Sequence, residues 1–426
     1  MSAPGRLVPL PRLQLGCTHL DLDLSRGERC AHWSPGPTLL RGSSWCYMVA
    51  ISRSPATKSL RIADKVRTMK DFATPCTGLD ETDLAIANAL QIAPRASWAT
   101  LGDVLGLSAV TVARRWSHIS DSGFAWVTAT GSPELWRSLC NAFIDVDCHP
   151  AERSRVALAL ARDPRTKSVM ELASGRDLHV NVVTRDLPGL SRFILDRVSR
   201  LPGVVNVNCQ VTTRIHVAGS DWRLDALSSG QRARLQSVAE ERSGAQLGRL
   251  SDSDRALLLA LAPDGRLPVT ELAALTGASH SATRRRLSGL VRSGLVSFRC
   301  EIAQHITGWP VTALLWGRAP LVDRELAFVK LAKMPSVRLL TATSGDTNVF
   351  LSTWLHSIDQ TLDLEKRIAA EVPDFKIVNH AIVLRTVKRQ GWILDELGRK
   401  RESAPIDPWY DHEPDLPTTG VSGETS

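Results

Sequence analysis

The chain has 426 residues, of which 43% are hydrophobic and 23% are charged, and its formal net charge is +8. This length allows several domains with cores of their own, and the composition is typical of a globular protein. No apolar run approaches the roughly 18 residues that span a membrane. We therefore expect a cytoplasmic protein without a membrane partner.

Much of the positive charge lies in residues 1–78, which hold 11 of the 52 basic and 5 of the 44 acidic side chains. Two interpretations of this segment remain open. It is either a basic disordered extension that adds phosphate contacts, or it precedes the true start at Met69. Elsewhere the two signs nearly balance, so any argument for nucleic-acid binding depends on where individual charges lie.

The eight cysteines are scattered along the sequence, without a CxxC motif or a zinc-like pair of histidines. In a reducing compartment we interpret them as small packed residues. The sequence therefore predicts no metal site and no cofactor.

An internal duplication organises the chain. LDETDLAIANAL begins at Leu79 and LSDSDRALLLAL begins at Leu250, an offset of 171 residues that also aligns Arg95 with Arg266. Each copy predicts three helices, with the turn GLS or GAS before the third, and a short strand after a glycine. This order is typical of a winged helix-turn-helix, which we assign to residues 79–130 and 250–300.

The third helix of each copy has one apolar face and one free face. In the second copy, Thr283, Leu287 and Leu290 recur at helical spacing, and residues off that stripe are candidates for binding DNA. Early residues of such a helix reach base edges, and later arginines bind phosphate or guanine. The candidates are Ser108, Ala109, Val110, Thr111, Arg114, Arg115, Ser279, His280, Ser281, Arg284, Arg285 and Arg286.

A βαββαβ pattern follows each helix-turn-helix, over residues 131–218 and 301–390. This order folds as a ferredoxin-like α+β sandwich. In each copy the two middle strands meet at a short glycine turn, SGRD (174–177) or SGDT (344–347), which suits a hairpin.

The predicted fold class is therefore α+β, with two winged helix-turn-helix domains alternating with two ferredoxin-like domains. A linker helix is expected within residues 219–249, between the two repeats. Residues 391–426 form a C-terminal tail, which we expect to be disordered from Ser403 onward because it is rich in prolines and acids.

With segments such as TSGDTNVFLSTWLHSIDQ and NHAIVLRTVKRQGWILDELGR, the arrangement resembles the Lrp/AsnC family of transcriptional regulators, and within it the tandem actinobacterial type that fuses two units. The resemblance covers about residues 79–400 and implies that the ferredoxin-like modules are RAM domains. It implies a sequence-specific regulator that binds double-stranded DNA, forms homo-oligomers through its RAM sheets, and responds to an amino acid or related small molecule.

Effectors of this family bind around the turn between the middle strands and at contacts between RAM domains. The resemblance therefore implies effector contacts at Gly175, Arg176, Asp177, Ser344, Gly345, Asp346, Thr347 and Asn348. The two turns differ in sequence, so they need not bind the same effector.

Two alternative functions remain open. Siroheme decarboxylases also resemble tandem AsnC units, but the corresponding strand here, SVRLLTATSGDTNVF, has no His-Asn-Tyr-type cluster, and we expect no enzyme. A scaffold with degenerate DNA contacts is the other alternative, because Ala109 and Val110 make the start of one helix apolar. If both helices read DNA, their inequality predicts an imperfect palindrome as the operator.

Overall fold

The structure, a computed structural model, describes residues 79–173, 175–239 and 250–410. The expectations for residues 1–78 and for residues 411–426 lie outside these ranges. Among the described residues, no helix is both long and apolar enough to cross a bilayer. Within the same ranges, no three His, Cys, Asp or Glu side chains cluster so as to hold a metal ion.

The first repeat consists of a helix-turn-helix and a βαββαβ module. Its elements in chain order are α1 (Glu81–Ile92), α2 (Trp98–Leu105), α3 (Ala109–Asp121), β1 (Ala125–Gly131), α4 (Pro133–Arg137), β2 (Cys140–Cys148), α5 (Arg153–Arg162), β3 (Thr166–Ala173), β4 (Leu178–Thr184), α6 (Leu187–Arg192) and β5 (Val204–Val217). A π-helical segment, Phe193–Val198, continues α6. The predicted βαββαβ order is confirmed.

The linker between the repeats contains one short helix, α7 (Ser229–Val238). Residues 219–228 are irregular, so the predicted linker helix covers only part of the linker, and residues 240–249 lie outside the described chain. Leu224 and Leu227 of the irregular part and Leu235 of α7 are buried against the first helix-turn-helix. The linker therefore completes the core of that domain.

The second repeat has the same order of elements. They are α8 (Asp252–Leu261), α9 (Val269–Thr276), α10 (His280–Arg292), β6 (Val296–Ile302), β7 (Val311–Arg318), α11 (Arg324–Ala332), β8 (Val337–Thr343), β9 (Val349–Leu355), α12 (Gln360–Glu371), β10 (Lys376–Arg389), β11 (Trp392–Leu394) and β12 (Lys400–Ser403). A short 3-10 helix, Gln304–Thr307, precedes β7.

The turn before each third helix depends on a glycine. Gly106 and Gly277 end α2 and α9 with φ of 71° and 64°, a left-handed conformation that favours residues without a Cβ. Ser108 then caps α3 by accepting a hydrogen bond from the backbone N–H of Thr111 at 3.1 Å. Ser279 caps α10 in the same way. The predicted helix-turn-helix is thus present in both copies.

The two RAM-like sheets join into a closed ring of strands. The order is β3-β4-β2-β5-β8-β9-β7-β10, and β10 returns to β3. The long strands β5 and β10 make both joints, because the first part of each pairs within its own module and the last part pairs with the other module. Phe143, Trp316 and Phe350 fill the space between the two sheets.

The closed ring uses sheet edges that were predicted to join separate chains. Homo-oligomers were predicted to form through RAM sheets, yet the edges β3, β5, β8 and β10 are already paired within one chain. Among the described residues, however, the first half of β5 pairs only with β2 and the first half of β10 only with β7, so one side of each of these segments has no partner strand. Association of whole chains through the RAM surfaces that stay unpaired remains a prediction.

The two helix-turn-helix domains are joined to each other. The strand after each third helix was predicted as a wing, but β1 pairs antiparallel with β6, from Ala125 opposite Ile302 to Gly131 opposite Val296. Arg95 donates to the carbonyls of Gly265 and Leu267, and Arg266 donates reciprocally to those of Pro94 and Ala96. The duplicated arginines therefore fix the two domains about an approximate two-fold axis.

The C-terminal segment is ordered further than predicted. Disorder was expected from Ser403, but Asp407 is buried and forms an ion pair with Arg255 of α8. Trp409 packs against the core of the second helix-turn-helix. The correction applies to residues 403–410. They pack against the second helix-turn-helix domain, much as the linker packs against the first.

Candidate functional site

The recognition helix α10 divides into a buried and an exposed face. Thr283, Leu287 and Leu290 are buried against the domain, as the helical spacing predicted. The opposite face consists of exposed side chains that no part of the described chain covers, namely His280, Ser281, Arg284, Arg285 and Ser288. The early residues and the arginines therefore lie together on a single outward face.

Helix α3 has the same division but a different surface. Val112, Trp116 and Ile119 are buried, and Val110 is 79% exposed near the start of the helix. Arg114 is exposed, whereas Ala109 and Thr111 are half-buried. The Thr111 hydroxyl lies 2.8 Å from the Ser108 hydroxyl, so it already has a partner at the helix cap. The first copy thus presents Val110 at the start of the helix and fewer exposed arginines than α10.

Two of the predicted DNA-binding arginines contact their own domain instead. Arg115 Nη1 lies 2.8 Å from Asp80 Oδ2 and 2.8 Å from Asp83 Oδ1 at the start of α1. Arg286 Nη1 makes the equivalent contacts in the second copy, with Ser251 Oγ at 3.1 Å and Asp254 Oδ1 at 2.9 Å. The structure therefore gives Arg115 and Arg286 contacts that join two helices of their own domain, and their predicted binding to DNA stays a prediction.

Electrostatics supports this structural role. The hydrogen bonds that Arg115 donates to Asp83 and Asp80 raise its pKa above the usual value. Burial would raise the pKa of Asp254, but hydrogen bonds from Ser251 and Arg286 outweigh that effect and lower it. Both shifts favour the charged pair. The sequence does contain a signal for this contact, because the acid three residues after each cap recurs together with the arginine.

The first predicted effector turn is engaged with the ring of strands. Asp177 accepts a hydrogen bond from the Cys148 N–H at 2.8 Å, and Arg153 lies 3.4 Å from its carboxylate. Arg176 points back to Asp145 at 2.7 Å and lies over the ring of Trp316. Gly175 is exposed, whereas Arg176 and Asp177 are half-buried.

The second predicted turn is attached to the first repeat. The Ser344 hydroxyl accepts from the Val211 N–H at 2.9 Å, and Thr347 accepts from Gln210 at 2.8 Å. Asn348 exchanges two hydrogen bonds with the backbone of Ala319. Gly345 and Asp346 are exposed. The eight predicted effector residues therefore form two separate turns, and several of their polar groups already have partners.

Family models match three segments of the chain. The AsnC-type helix-turn-helix domain matches residues 79–118 and again 250–290, which are the two segments that contain α3 and α10. The Lrp/AsnC ligand binding domain matches residues 141–221, the first βαββαβ module. The chain is a tandem member of the Lrp/AsnC family.

Curated relatives of this Lrp/AsnC protein have the length of a single repeat. An uncharacterized HTH-type transcriptional regulator of Pyrococcus horikoshii is 28% identical over 138 residues, which are 32% of this chain and 87% of the relative. The HTH-type transcriptional regulator LysM of Saccharolobus solfataricus is 27% identical over 140 residues, which are 32% of this chain and 95% of LysM. One relative thus corresponds to about a third of the tandem chain.

A solved structure corresponds to most of the tandem Lrp/AsnC chain. The siroheme decarboxylase NirDL, crystallised with an iron-uroporphyrin III analogue, matches with a TM-score of 0.50 and 12% identity. The match covers 73% of this chain and 93% of NirDL. At this identity the similarity establishes a shared fold, in which two fused repeats occur together, and nothing about the chemistry.

Proposed function

We propose that this Lrp/AsnC protein is a sequence-specific DNA-binding transcriptional regulator that responds to an amino acid or a related small molecule. The observation that carries the proposal is the pair of recognition helices held by one rigid joint. Arg95, Arg266 and the β1–β6 ribbon fix the two domains, so α3 and α10 reach DNA as a unit. A regulator of this kind acts in the cytoplasm, where it meets DNA.

We propose that α3 and α10 contribute unequally to DNA binding. In α10, His280, Ser281, Arg284 and Arg285 form the reading face, and the arginines supply contacts to phosphate or guanine. In α3, the exposed Val110 can contact a thymine methyl group. The operator is therefore proposed to be an imperfect palindrome whose stronger half-site is bound by α10.

The effector is proposed to bind in the RAM half of the chain. The match of residues 141–221 to a ligand-binding domain supports an effector, and the exposed residues of the two predicted turns are Gly175, Ser344, Gly345 and Asp346. Because the two turns differ in sequence and in contacts, we propose that they bind an effector unequally.

Binding to fragmented genomic DNA at physiological salt, with excess competitor, tests the function. Recovery of a few defined sites is the expected result. Footprints should show two unequal half-sites, whereas identical half-sites would contradict the proposed inequality. Salt-sensitive binding without sequence preference would instead support the scaffold.

Matched arginine variants then locate the interface. The double variant Arg284→Ala/Arg285→Ala should lower affinity at least tenfold and reduce the slope of log affinity against log salt by about one unit per lost phosphate contact. Arg286→Ala is the control, because its guanidinium is held by Asp254. Equal losses in both proteins would show that α10 binds DNA by another face.

The decarboxylase remains the alternative, and the shared fold with NirDL is the observation that favours it. The curated relatives are named as transcriptional regulators, and we propose that this chain is not an enzyme. Spectral titration with iron uroporphyrin separates the two. A saturable shift of the tetrapyrrole absorption band would support the alternative, and an unchanged spectrum would dismiss it.

A further inference from the structure

Two neighbouring cavities lie where the ring of strands meets the helix-turn-helix domains. The larger has a volume of about 290 Å³ and lies between the linker, β6 and β8. The smaller, of about 130 Å³, extends toward Lys167 and Trp354. Arg299 and Arg338 line both cavities. These residues belong to neither of the turns predicted from the sequence.

Arg338 is the unusual residue of this site. It is 8% exposed, and its guanidinium lies over the rings of Trp354 at 3.8 Å and Trp222 at 5.0 Å. Within the part of the chain that the structure describes, no hydrogen bond or ion pair reaches this guanidinium. Burial lowers its pKa to about 9. A buried guanidinium without an anionic partner is unfavourable, and such groups normally find one.

The neighbouring carboxylate of Glu301 attracts Arg338 through space but forms no ion pair with it among the described residues. Glu301 is 3% exposed and already contacts Arg299 and also Arg389, the latter at 3.3 Å. Its charge is therefore shared among three cations, and its ion pairs are with Arg299 and Arg389. The walls of the two cavities contain more basic than acidic residues. The five basic residues are Lys167, Arg223, Arg299, Arg338 and Arg389, and the two acidic residues are Asp221 and Glu301. The site has an excess of positive charge.

Other unsatisfied polar atoms face the same space. The Thr130 hydroxyl lines the smaller cavity, is buried, and has no hydrogen-bond partner among the described residues. Burial, together with the charge of Arg299, lowers the pKa of Lys167 to about 7. Trp354, Met170 and Leu339 supply apolar wall beside these groups. The cavities thus offer hydrogen-bond donors at one side and an apolar surface at the other.

We propose that this junction binds a small carboxylate with an apolar body, whose carboxylate is held by Arg338. A guanidinium matches a carboxylate with two parallel hydrogen bonds, and the flanking indole rings hold its plane in place. The volumes suit a ligand of the size of benzoate or a branched aliphatic acid, which is smaller than a typical drug-sized ligand.

The arginine of this site occurs in the second repeat alone. Ser168-Val169-Met170 aligns with Ser336-Val337-Arg338, so the first repeat has methionine at the position of the arginine. Because there is one such arginine, we expect one ligand to bind per chain. That ligand would contact the ring through β8 and β9, the first helix-turn-helix through the linker residue Trp222, and the ribbon through Arg299 of β6. It would therefore link the ring to the DNA-binding half.

Thermal unfolding and tryptophan fluorescence of the full chain test the binding. The probes are benzoate and 4-methylpentanoate, each compared with its own amide, and inorganic phosphate. Both carboxylates should raise the Tm and change the tryptophan emission, because Trp222 and Trp354 flank the bound group, whereas the amides should do neither. Equal effects of acid and amide, or binding of phosphate alone, would overturn the proposal.

Matched variants locate the site. Arg338→Met places the residue of the first repeat in the second and should weaken both carboxylates at least tenfold, while Arg285→Met on the exposed face of α10 should leave them unchanged. Gly219→Val is a second variant, because a Cβ there lies 4.0 Å from the Arg338 guanidinium and would narrow the cavity. Unaltered binding in both site variants would refute the assignment.

The regulatory consequence is a separate measurement. This step alone rests on the proposed function, since the binding assays contain no DNA. Affinity for a recovered operator should change several-fold with benzoate in the wild type and stay constant in Arg338→Met. If no operator is recovered, the fluorescence result still decides whether the cavity binds carboxylates.

Discussion

Neighbouring arginines of one helix have different tasks because of their rotation about the helix axis. Arg285 and Arg286 are adjacent in sequence, but one faces solvent and the other reaches Asp254 at the start of α8. Each residue advances about 100° around an α-helix, so one step along the sequence can move a side chain from the outward face to the edge of the core. A run of charge therefore has to be assigned residue by residue, from the partners that the fold provides.

Thr283 is a residue whose environment predicts a gain in stability on substitution. Its hydroxyl is buried without a hydrogen-bond partner among the described residues, and the first repeat has Val112 at the same place. Thr283→Val should raise the free energy of unfolding by about 1 kcal/mol, and Val112→Thr should lower it by about 1–3 kcal/mol. Urea unfolding of both variants checks this. A loss of stability in Thr283→Val would contradict it.

The buried Lys388 should make the free energy of unfolding depend on pH. Its side chain is fully buried, donates to the Asp163 carbonyl at 3.0 Å, and has a pKa lowered by burial to about 7 from the usual 10.5. Between those values the unfolded chain binds a proton that the folded chain lacks, so this group makes stability rise with pH, by at most about 1.4 kcal/mol per pH unit.

Lys388→Met should therefore flatten the rise in the free energy of unfolding as the pH increases from about 7 to about 9. Urea titrations at several pH values measure the slope for each protein. Lys376→Met, at an exposed position of the same strand, is the control and should keep the wild-type slope. Parallel curves for wild type and Lys388→Met would show that the folded lysine stays charged.

At the scale of elements, the duplication made most of the fold predictable. Apolar spacing and the caps Ser108 and Ser279 located the helices, and alternating strands gave the βαββαβ order, because these patterns are local in sequence. The pairing of β1 with β6 and the joints made by β5 and β10 were not predictable. Long-range strand partners depend on which edges meet in space, and they leave no periodic trace in the sequence.

The site was predictable only in part, for the same reason. The exposed faces of α3 and α10 follow from helical periodicity. The role of Arg115 could have been suggested by the recurrence of Asp83 and Asp254, but the contact joins residues 32 positions apart. Arg338 had no such signal, because strand, linker and ribbon bring its surroundings together from distant parts of the chain.

The turn glycines give a prediction at this scale. A Cβ at Gly277 or at Gly289 would meet no atom within 4 Å, but Gly277 has φ of 64° whereas Gly289 lies inside α10. Gly277→Ala should therefore lower the free energy of unfolding by about 1 kcal/mol, and Gly289→Ala should raise it by up to about 1 kcal/mol. Thermal unfolding compares them directly. Equal effects would mean that backbone conformation does not determine this turn.

For the whole molecule, the reciprocal contacts of Arg95 and Arg266 determine how the two DNA-binding domains are spaced. Arg266 donates to the Ala96 carbonyl at 2.8 Å, and burial lowers its pKa to about 10. The ribbon β1–β6 adds backbone hydrogen bonds to the same joint. A rigid joint of this kind should make DNA affinity depend strongly on the distance between half-sites.

Arg95→Ala/Arg266→Ala should lower the free energy of unfolding by about 2 kcal/mol, since hydrogen bonds from charged groups are lost. It should also reduce the preference for the natural half-site spacing over an operator with added base pairs between the half-sites. Gel-shift titrations with both operators measure the ratio. Lys366→Ala, exposed on α12, is the control. An unchanged ratio would assign the spacing to the ribbon alone.

The closed ring of strands has a consequence for gene dosage. When two separate chains must associate before they bind DNA, the concentration of DNA-binding dimers falls more steeply than the concentration of chains. Here both halves leave the ribosome already connected, so the pairing of the two recognition helices does not depend on the concentration of chains. The two recognition helices also cannot be exchanged with those of a related protein in the same cell, and one locus alone determines which pair of half-sites is read.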